Sequence, residues 1–243
     1  MSYEKVERQI SEILRSLEEE TSRKMTGSQR SQTAGTVSPT GTGLNREGRP
    51  IGGHLPVTER SIVRQYSWRA DRDVLEAIAK VSLYLQVQRE QYYPLGQPLQ
   101  PELMEAFRGF YSQELLEQVR VVEFTGNRVE NPWFYGEARE RGISNLPDIA
   151  HKVAVTFLDV IVFNQVVTRR DLFHNLVHAA QVKLLGEERF AELFVTGFLQ
   201  ARSYFLIPLK AHAFALDTRY AEDAGARFSV EEEVVRWITE ERY

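Results

Sequence analysis

The sequence predicts an α+β fold that is mainly helical, with a small β-sheet or hairpin packed on one central helix. From residue 58 onward, most apolar residues recur at the three- and four-residue spacing of amphipathic helices. The runs 119–124 and 153–163 are instead rich in β-branched and aromatic residues, which favours short strands. The run 168–185 places two histidines among apolar residues at helical spacing, so it is the predicted central helix.

Residues 1–20 predict an amphipathic helix. Its apolar residues repeat at alternating four- and three-residue spacing on one face, and charged residues occupy the opposite face. No neighbouring segment of the sequence offers an apolar surface that could cover this apolar face, so the helix either folds onto the main domain or docks on a partner or a second copy. The residues of the apolar face are candidate partner-binding residues: Val6, Ile10, Ile13 and Leu17.

Residues 21–57 predict a basic, low-complexity arm or linker. Ser, Thr, Gly, Gln and Pro dominate it, and a segment so poor in large apolar residues is expected to be disordered alone. Its end, 49–56, alternates apolar residues with Gly and Pro, which suits either a plain linker or an extended peptide that docks on a partner. The candidate partner-binding residues of the arm are Arg46, Arg49, Ile51, His54 and Leu55.

Residues 58–243 are predicted to form the α+β domain, which begins with two helices. Thr58 and Asp71 can cap these helices, and the second ends before Pro94. Gly186 is predicted to end the central helix, because glycine readily adopts the left-handed conformation that follows a helix. Further helices are predicted over 101–109, 112–118, 187–202, 208–220 and 229–240.

Charge separates the arm from the domain. The net charge of −4 divides into −3 over residues 1–20, +6 over 21–70 and −7 over 71–243. A basic arm on an acidic domain could meet an acidic protein surface, nucleic acid or anionic lipid. Because the positive charges of the arm are spread out, nucleic acid is a less favoured partner. We expect a protein partner bound through residues 1–70.

The composition excludes several functional classes. The chain contains no cysteine, which removes disulfides, thiolate ligands and cysteine nucleophiles. No apolar run approaches the ~18–20 residues of a membrane span, and the charged N-terminus lacks the apolar core of a signal peptide, so we expect a cytoplasmic protein. Nucleotide-binding glycine motifs and a G-x-S-x-G nucleophile elbow do not occur in the sequence either.

The central helix carries His174 and His178 one turn apart on the same face. Both imidazoles could therefore reach one small cation, as in the H-E-x-x-H helix of zinc peptidases. Asn175 stands where those enzymes carry a glutamate as general base. An amide has no titratable proton near neutral pH and cannot accept one from a metal-bound water. The motif therefore predicts a helix like that of the zinc peptidases, but without the general base that activates a metal-bound water.

Eight short motifs occur in order between residues 91 and 220. They are YYPLG (92–96), RVV (120–122), NPWF (131–134), DVIVF (159–163), LFHNLVHAAQ (172–181), LLG (184–186), RF (189–190) and IPLKAHAF (207–214). In composition and order this segment resembles a family of bacterial minimal zincin-like domains, mostly of unassigned function. The resemblance implies a zincin-like fold for about half the chain and leaves residues 1–90 outside it.

The resemblance also implies roles for four residues. His174 and His178 fall at metal ligands, Asn175 at the general base, and Lys210 at a third ligand that is glutamate in the family. A protonated lysine repels a divalent cation instead of ligating it. Our hypothesis is that the Lys210 ammonium occupies the metal's place and donates hydrogen bonds to the imidazoles. We therefore expect no cofactor, with zinc at low occupancy as the remaining possibility.

Three other residues are candidates for a replacement ligand. His212 is two residues from Lys210 and is expected on a different helix face. Asp217 is on the same face but about 10 Å further along the helix axis, and His151 cannot be placed from sequence. The two motif histidines are therefore packed core residues, ligands of a non-catalytic metal, or parts of a rearranged hydrolase site.

The function predicted from the sequence is that of a pseudoenzyme without a small-molecule substrate. It would act as a protein-binding, linker or scaffold subunit of a larger assembly, attached through its N-terminal arm. The alternative is a metal-dependent hydrolase or peptidase with an unconventional ligand set. A third option is a regulatory or inhibitor-like domain that occupies the substrate site of a target.

Overall fold

The computed structural model describes residues 8–16, 19, 57–201 and 203–243, with residues 57–71 described by their backbone alone. The structure is mostly helical (64%) with a small four-stranded mixed sheet, which confirms the predicted α+β class. The chain divides into two compact units, Met1–Glu76 and Ala77–Tyr243. No helix within the described ranges is both long enough and apolar enough to cross a membrane.

In the first unit, helix α1 covers residues 8–16. Ile10 and Ile13 lie on its half-buried face with Gln9 and Leu14, whereas the remaining side chains of the helix are exposed. The spacing of the half-buried residues is that of one helical face. The other predicted partner-binding residues lie outside the described residues; they are Val6, Leu17, Arg46, Arg49, Ile51, His54 and Leu55.

Helix α2, Val57–Tyr92, is a single helix of 36 residues. The prediction of two helices capped by Thr58 and Asp71 is therefore wrong, since both residues lie inside α2. The physical reason is that neither proline nor glycine occurs between residues 57 and 92, so no residue interrupts the backbone hydrogen bonding. Capping residues can start a helix, but they do not break one that already runs through them.

The sheet contains the strands β1 (Gln97–Pro98), β2 (Arg120–Glu123), β3 (Ala154–Phe157) and β4 (Val160–Phe163). Their spatial order is β1-β2-β4-β3. β3 and β4 are the short strands predicted over 153–163, and they form an antiparallel hairpin joined at Leu158, whose φ of 57° lies in the left-handed region. β2 pairs parallel to β4 and antiparallel to β1. All four residues of β4 are buried, so this strand is the centre of the sheet.

Seven further helices complete the second unit. They are α3 (Pro101–Phe107), α4 (Gln113–Gln118), α5 (Tyr135–Glu140), α6 (Arg169–Leu185), α7 (Glu187–Ala201), α8 (Pro208–Glu222) and α9 (Val230–Thr239). Helix α6 carries the histidine motif and packs against α7, α8, α9, β3 and β4. Thr168 caps its first turn by accepting the Asp171 amide, and Gly186 ends it with a φ of 79°. The central helix therefore has the predicted bounds.

Helix α6 contributes to both hydrophobic clusters of the core. One cluster is rich in aromatic rings, and within it Phe173 of α6 stacks on Tyr220 of α8 at 4.2 Å between ring centroids. The second cluster includes Val182 of α6 together with residues of the sheet and of α7. Because α6 is packed on several sides, the positions of its polar side chains are fixed by the surrounding elements.

Candidate functional site

The two motif histidines lie on the face of α6 that meets α8. Their ring centroids are 4.9 Å apart. The His178 residue is only 2% exposed, and the side chain of His174 is 14% exposed. Helix α8 runs antiparallel to α6, because Lys210 in its first turn meets His178 whereas Asp217 near its end meets His174. The helix pair therefore presents two polar side chains of α8 to the two imidazoles.

The imidazole of His178 is bound at both nitrogens. Its Nε2 lies 3.0 Å from Lys210 Nζ, and its Nδ1 lies 2.8 Å from Oε1 of Gln181. The amide nitrogen of Gln181 donates to the carbonyl oxygen of Leu209 at 3.1 Å, so Oε1 must be the acceptor. His178 is therefore protonated at Nδ1, and its Nε2 lone pair accepts from the lysine ammonium.

Burial lowers the pKa of His178 well below its usual value, and the positive charge of Lys210 acts in the same direction. The ring is therefore neutral at physiological pH. This state agrees with the hydrogen bonding, since a doubly protonated imidazole could not accept from an ammonium group. Lys210 and His178 form a donor–acceptor pair in which the lysine carries the charge.

The imidazole of His174 is oriented by a buried carboxylate. Its Nδ1 lies 2.8 Å from Oδ2 of Asp217, and Oδ1 of Asp217 accepts from Nη2 of Arg170 at 2.7 Å. Burial lowers the pKa of His174 and outweighs the opposing effect of Asp217. Burial raises the pKa of Asp217, but the hydrogen bonds from His174 and Arg170 outweigh it and the net shift is downward. Metal-ligating histidines are oriented by carboxylates in the same way, which leaves Nε2 for the metal.

The Asn175 amide has both of its ends engaged in hydrogen bonds. Its nitrogen donates to the carbonyl oxygen of Asp171 one turn earlier at 2.8 Å, and its oxygen accepts from Oγ1 of Thr156 at 3.0 Å. The residue is 6% exposed. Asn175 therefore connects helix α6 to strand β3, at the position where the peptidase motif has a general base.

These contacts match one part of the Lys210 hypothesis. The ammonium lies on Nε2 of His178, but no hydrogen bond joins Lys210 to His174 in the described part of the chain. A divalent ion bonded to the same Nε2 would need the lone pair that the ammonium already uses, at ~2.0–2.1 Å. No group of three or more His, Cys, Asp or Glu side chains in the described ranges is placed to hold a metal ion. The residues present therefore do not fit a zinc site.

The contact between Asp217 and His174 was not predicted from the sequence, because it depends on the packing of α8 on α6 and not on the distance from Lys210 along α8. The antiparallel packing of α8 on α6 brings its far end to His174, which is one turn before His178. The seven-residue spacing places Lys210 and Asp217 on the same face of α8. It predicts a contact between Asp217 and His174 only when the direction of α8 relative to α6 is known. Gln181 and Thr156 were missed because neither residue type is typical of a metal site.

The other two histidines considered as ligands do not contact the motif pair. His212 stacks on Trp237 with ring centroids 5.0 Å apart, and its Nδ1 is 3.4 Å from the amide nitrogen of Gln181. Burial lowers the pKa of His212 to about 4. His151 is exposed and its Nδ1 lies 2.7 Å from a carboxylate oxygen of Asp148. Neither residue supplies a replacement ligand.

A search with protein-family models found no match to the chain, and searches of curated proteins and of solved structures found none either. The resemblance to zincin-like domains therefore stays a prediction from the sequence motifs. What the site contains is a lysine ammonium, two neutral imidazoles, a buried carboxylate and a buried amide. This set can form hydrogen bonds and place one positive charge, but the described residues lack the glutamate base and the ligand set of the zinc-peptidase motif.

Proposed function

We propose that this protein is a zincin-like pseudoenzyme that acts as a protein-binding or scaffold subunit of a larger assembly. The observation that carries the proposal is the 3.0 Å contact between Lys210 Nζ and His178 Nε2. An ammonium at this nitrogen takes the lone pair that a metal would need and adds a repulsive charge. Peptide hydrolysis by a zincin needs that metal, so its loss removes the reaction rather than slowing it.

The buried amide of Asn175 supports the same proposal independently. A general base contributes ~10²–10⁴ to the rate of a hydrolytic reaction. Asn175 cannot titrate, and its two hydrogen bonds to Asp171 and Thr156 stabilise the helix and its contact with the sheet. Asn175 therefore contributes to the stability of the fold and not to catalysis.

The scaffold part of the proposal is supported by the N-terminal region. The half-buried face of α1 contains Ile10 and Ile13, and the sequence from residue 21 to 57 is basic and poor in apolar residues. Such an arm joined to an acidic domain suits attachment to an acidic protein partner. We propose that residues 1–70 connect the domain to its assembly.

One observation favours the alternative of a metal-dependent hydrolase with an unconventional ligand set. Asp217 orients His174 as carboxylates orient metal-bound histidines, and Nε2 of His174 has no hydrogen-bond partner in the described part of the chain. A single prepared nitrogen makes a weak metal site, because zinc sites use three or four protein ligands. The pseudoenzyme remains the better-supported function.

Metal analysis of the native protein tests the proposal. Protein purified without a histidine tag should contain well under one zinc per chain, because Lys210 already uses Nε2 of His178. A stoichiometric zinc content, or peptide hydrolysis that is lost on mutating either motif histidine, would contradict the proposal.

A gain-of-ligand variant sharpens this test. Asn175→Glu combined with Lys210→Glu should raise zinc affinity by more than the ~10–100-fold that outer-shell changes produce, because it supplies a carboxylate ligand and removes the repelling charge. The matched control combines Asn175→Glu with Lys183→Glu, which makes the same change of charge away from the imidazoles. Equal zinc affinity in the two double variants would show that Lys210 does not stand at the metal position.

A further inference from the structure

Two lysines place their ammonium groups against the ring of Tyr204. Lys152 Nζ lies 4.0 Å from the ring centroid and Lys210 Nζ lies 5.0 Å from it. Both distances are within the range of a cation–π contact. Since both distances end at the same ring centroid, the two nitrogens are at most about 9 Å apart. Each positive charge therefore raises the electrostatic free energy of the other.

This arrangement is unusual among the lysines whose side chains the structure describes. Lys80 pairs with Glu137 at 2.5 Å, and Lys183 pairs with Glu114 at 3.0 Å. Neither Lys152 nor Lys210 has a carboxylate within 4.0 Å in the described ranges. The segment 71–243 has a net charge of −7. Two neighbouring cations without a carboxylate partner on an acidic domain therefore form a distinct local feature.

Exposed aromatic rings lie next to these charges. Phe205 is 59% exposed and Phe214 is 39% exposed. The ring of Phe205 lies 5.0 Å from Lys152 Nζ, and its centroid is 6.3 Å from that of Phe214. Phe214 in turn contacts His174, with ring centroids 4.6 Å apart. The aromatic rings and the two ammonium groups therefore form one continuous surface beside the motif histidines.

We propose that this cationic–aromatic surface, formed by Lys152, Tyr204, Phe205, Lys210 and Phe214, binds an acidic peptide segment of a partner protein. A carboxylate of the peptide lies between the two ammonium groups and relieves their mutual repulsion. An apolar side chain next to the carboxylate packs on the exposed rings. The inference rests on the proposed function, since a metal ligated by Nε2 of His178 would displace the Lys210 ammonium that the carboxylate needs.

The surrounding charge favours an acidic peptide over a polyanion. Nucleic acid and anionic membranes present extended arrays of negative charge, which the net −7 of segment 71–243 repels. A short peptide places one carboxylate at the two lysines and few charges elsewhere. Exposed phenylalanine side chains also suit apolar peptide side chains, which a phosphate group lacks.

The test uses the capped peptide acetyl-Leu-Glu-Leu-amide and its glutamine counterpart, titrated into the full-length protein. Nuclear magnetic resonance signals of the lysine side-chain methylenes and phenylalanine rings locate the binding. The glutamate peptide should bind at this surface and the glutamine peptide at least about fivefold more weakly, because only the first carries a charge. Lys152→Gln and Phe205→Ala should each weaken glutamate-peptide binding by a similar factor.

Lys183→Gln is the matched control, because it removes a lysine charge at a site paired with Glu114. Its binding should equal that of the unmodified protein. The inference is overturned if this variant binds as weakly as Lys152→Gln, if both peptides bind equally, or if neither binds. It is also overturned if inorganic phosphate causes the same shifts as tightly as the peptide, which would indicate a simple anion site. Zinc content is measured on the same sample, so failure here is separable from failure of the proposed function.

Discussion

Asp217 illustrates how a single buried residue determines the geometry of the candidate site. Its side chain is 5% exposed and accepts hydrogen bonds from His174 and Arg170. A carboxylate buried to this degree is stable only when such partners compensate for the loss of water. The same two hydrogen bonds hold the imidazole of His174 in one orientation.

Replacing Asp217 with asparagine should lower the free energy of unfolding by ~2–3 kcal/mol at pH 7, because charge-assisted hydrogen bonds to a buried group are lost. Urea unfolding measures the change. The matched control is Arg170→Ala, which should cost less than ~1 kcal/mol because the guanidinium is 56% exposed. An equal decrease in the free energy of unfolding of the two variants would contradict a stabilising role of the buried carboxylate.

The downward shift in the pKa of Asp217 adds a pH dependence with a definite sign. Because the pKa is lower in the folded state, the carboxylate contributes its full stabilisation above the unfolded value of ~3.9. This contribution is lost as the pH falls below that value and through the folded pKa. The difference in stability between the native protein and Asp217→Asn should therefore narrow as the pH falls below about 4.

At the scale of elements, the packing of α7 on α8 depends on Gly197. A β-carbon at this position would lie 2.7 Å from Cδ of Pro208 and 3.3 Å from Cγ2 of Ile207. The first distance is shorter than any normal contact, and the proline ring at the start of α8 cannot rotate away. The two helices approach closely because residue 197 has no side chain.

Gly197→Ala should therefore lower the free energy of unfolding by ~1–3 kcal/mol through overpacking, despite the better helix propensity of alanine. Gly136→Ala is the matched control, because Gly136 lies in helix α5 and a β-carbon there meets nothing within 4 Å. This second change should leave stability unchanged or raise it by up to ~1 kcal/mol. Thermal or urea unfolding of both variants distinguishes them. If Gly197→Ala is as stable as Gly136→Ala, the close approach of the helices is not required.

The elements that the sequence predicted correctly are those with local signals at their ends. Helix α6 has a capping threonine before it and a left-handed glycine after it, and both act within one turn of the chain. The β3–β4 hairpin follows from two adjacent β-rich runs. The parallel pairing of β2 with β4 had no local signal, since it joins residues about 40 positions apart in the sequence.

The same distinction applies to the candidate site. The position of His174 and His178 on one helix face followed from their spacing alone. Asp217 reaches His174 only because α8 packs antiparallel on α6, and this packing depends on the whole core. Residues brought together by tertiary packing could not be predicted from one helix at a time.

At the scale of the molecule, the residues Ala77–Tyr243 form a compact unit of their own. Among the described residues, the members of both hydrophobic clusters lie within this unit. Its boundary falls inside helix α2, and the part of α2 after the boundary contributes Tyr84 and Leu85 to the second cluster. The unit therefore contains the hydrophobic core of the described residues, and such a core is what independent folding requires.

A fragment of residues 72–243 should unfold cooperatively, with a midpoint within about 4 °C of the corresponding transition of the full chain. A fragment of residues 90–243 is the control. It lacks buried residues of α2 and should be markedly less stable, because it exposes the part of the second cluster that Tyr84 and Leu85 cover. Calorimetry measures both. Two fragments of equal stability would show that α2 is not part of this core.

The contact between Lys210 and His178 affects the conditions under which the protein stays folded. A zinc-dependent domain loses its central cation when the metal becomes scarce or a chelating agent removes it. The positive charge beside His178 is attached covalently to helix α8. It cannot diffuse away, be competed for by other proteins, or be exchanged for a different ion. Under the proposed function, this centre is independent of the metal supply of its surroundings.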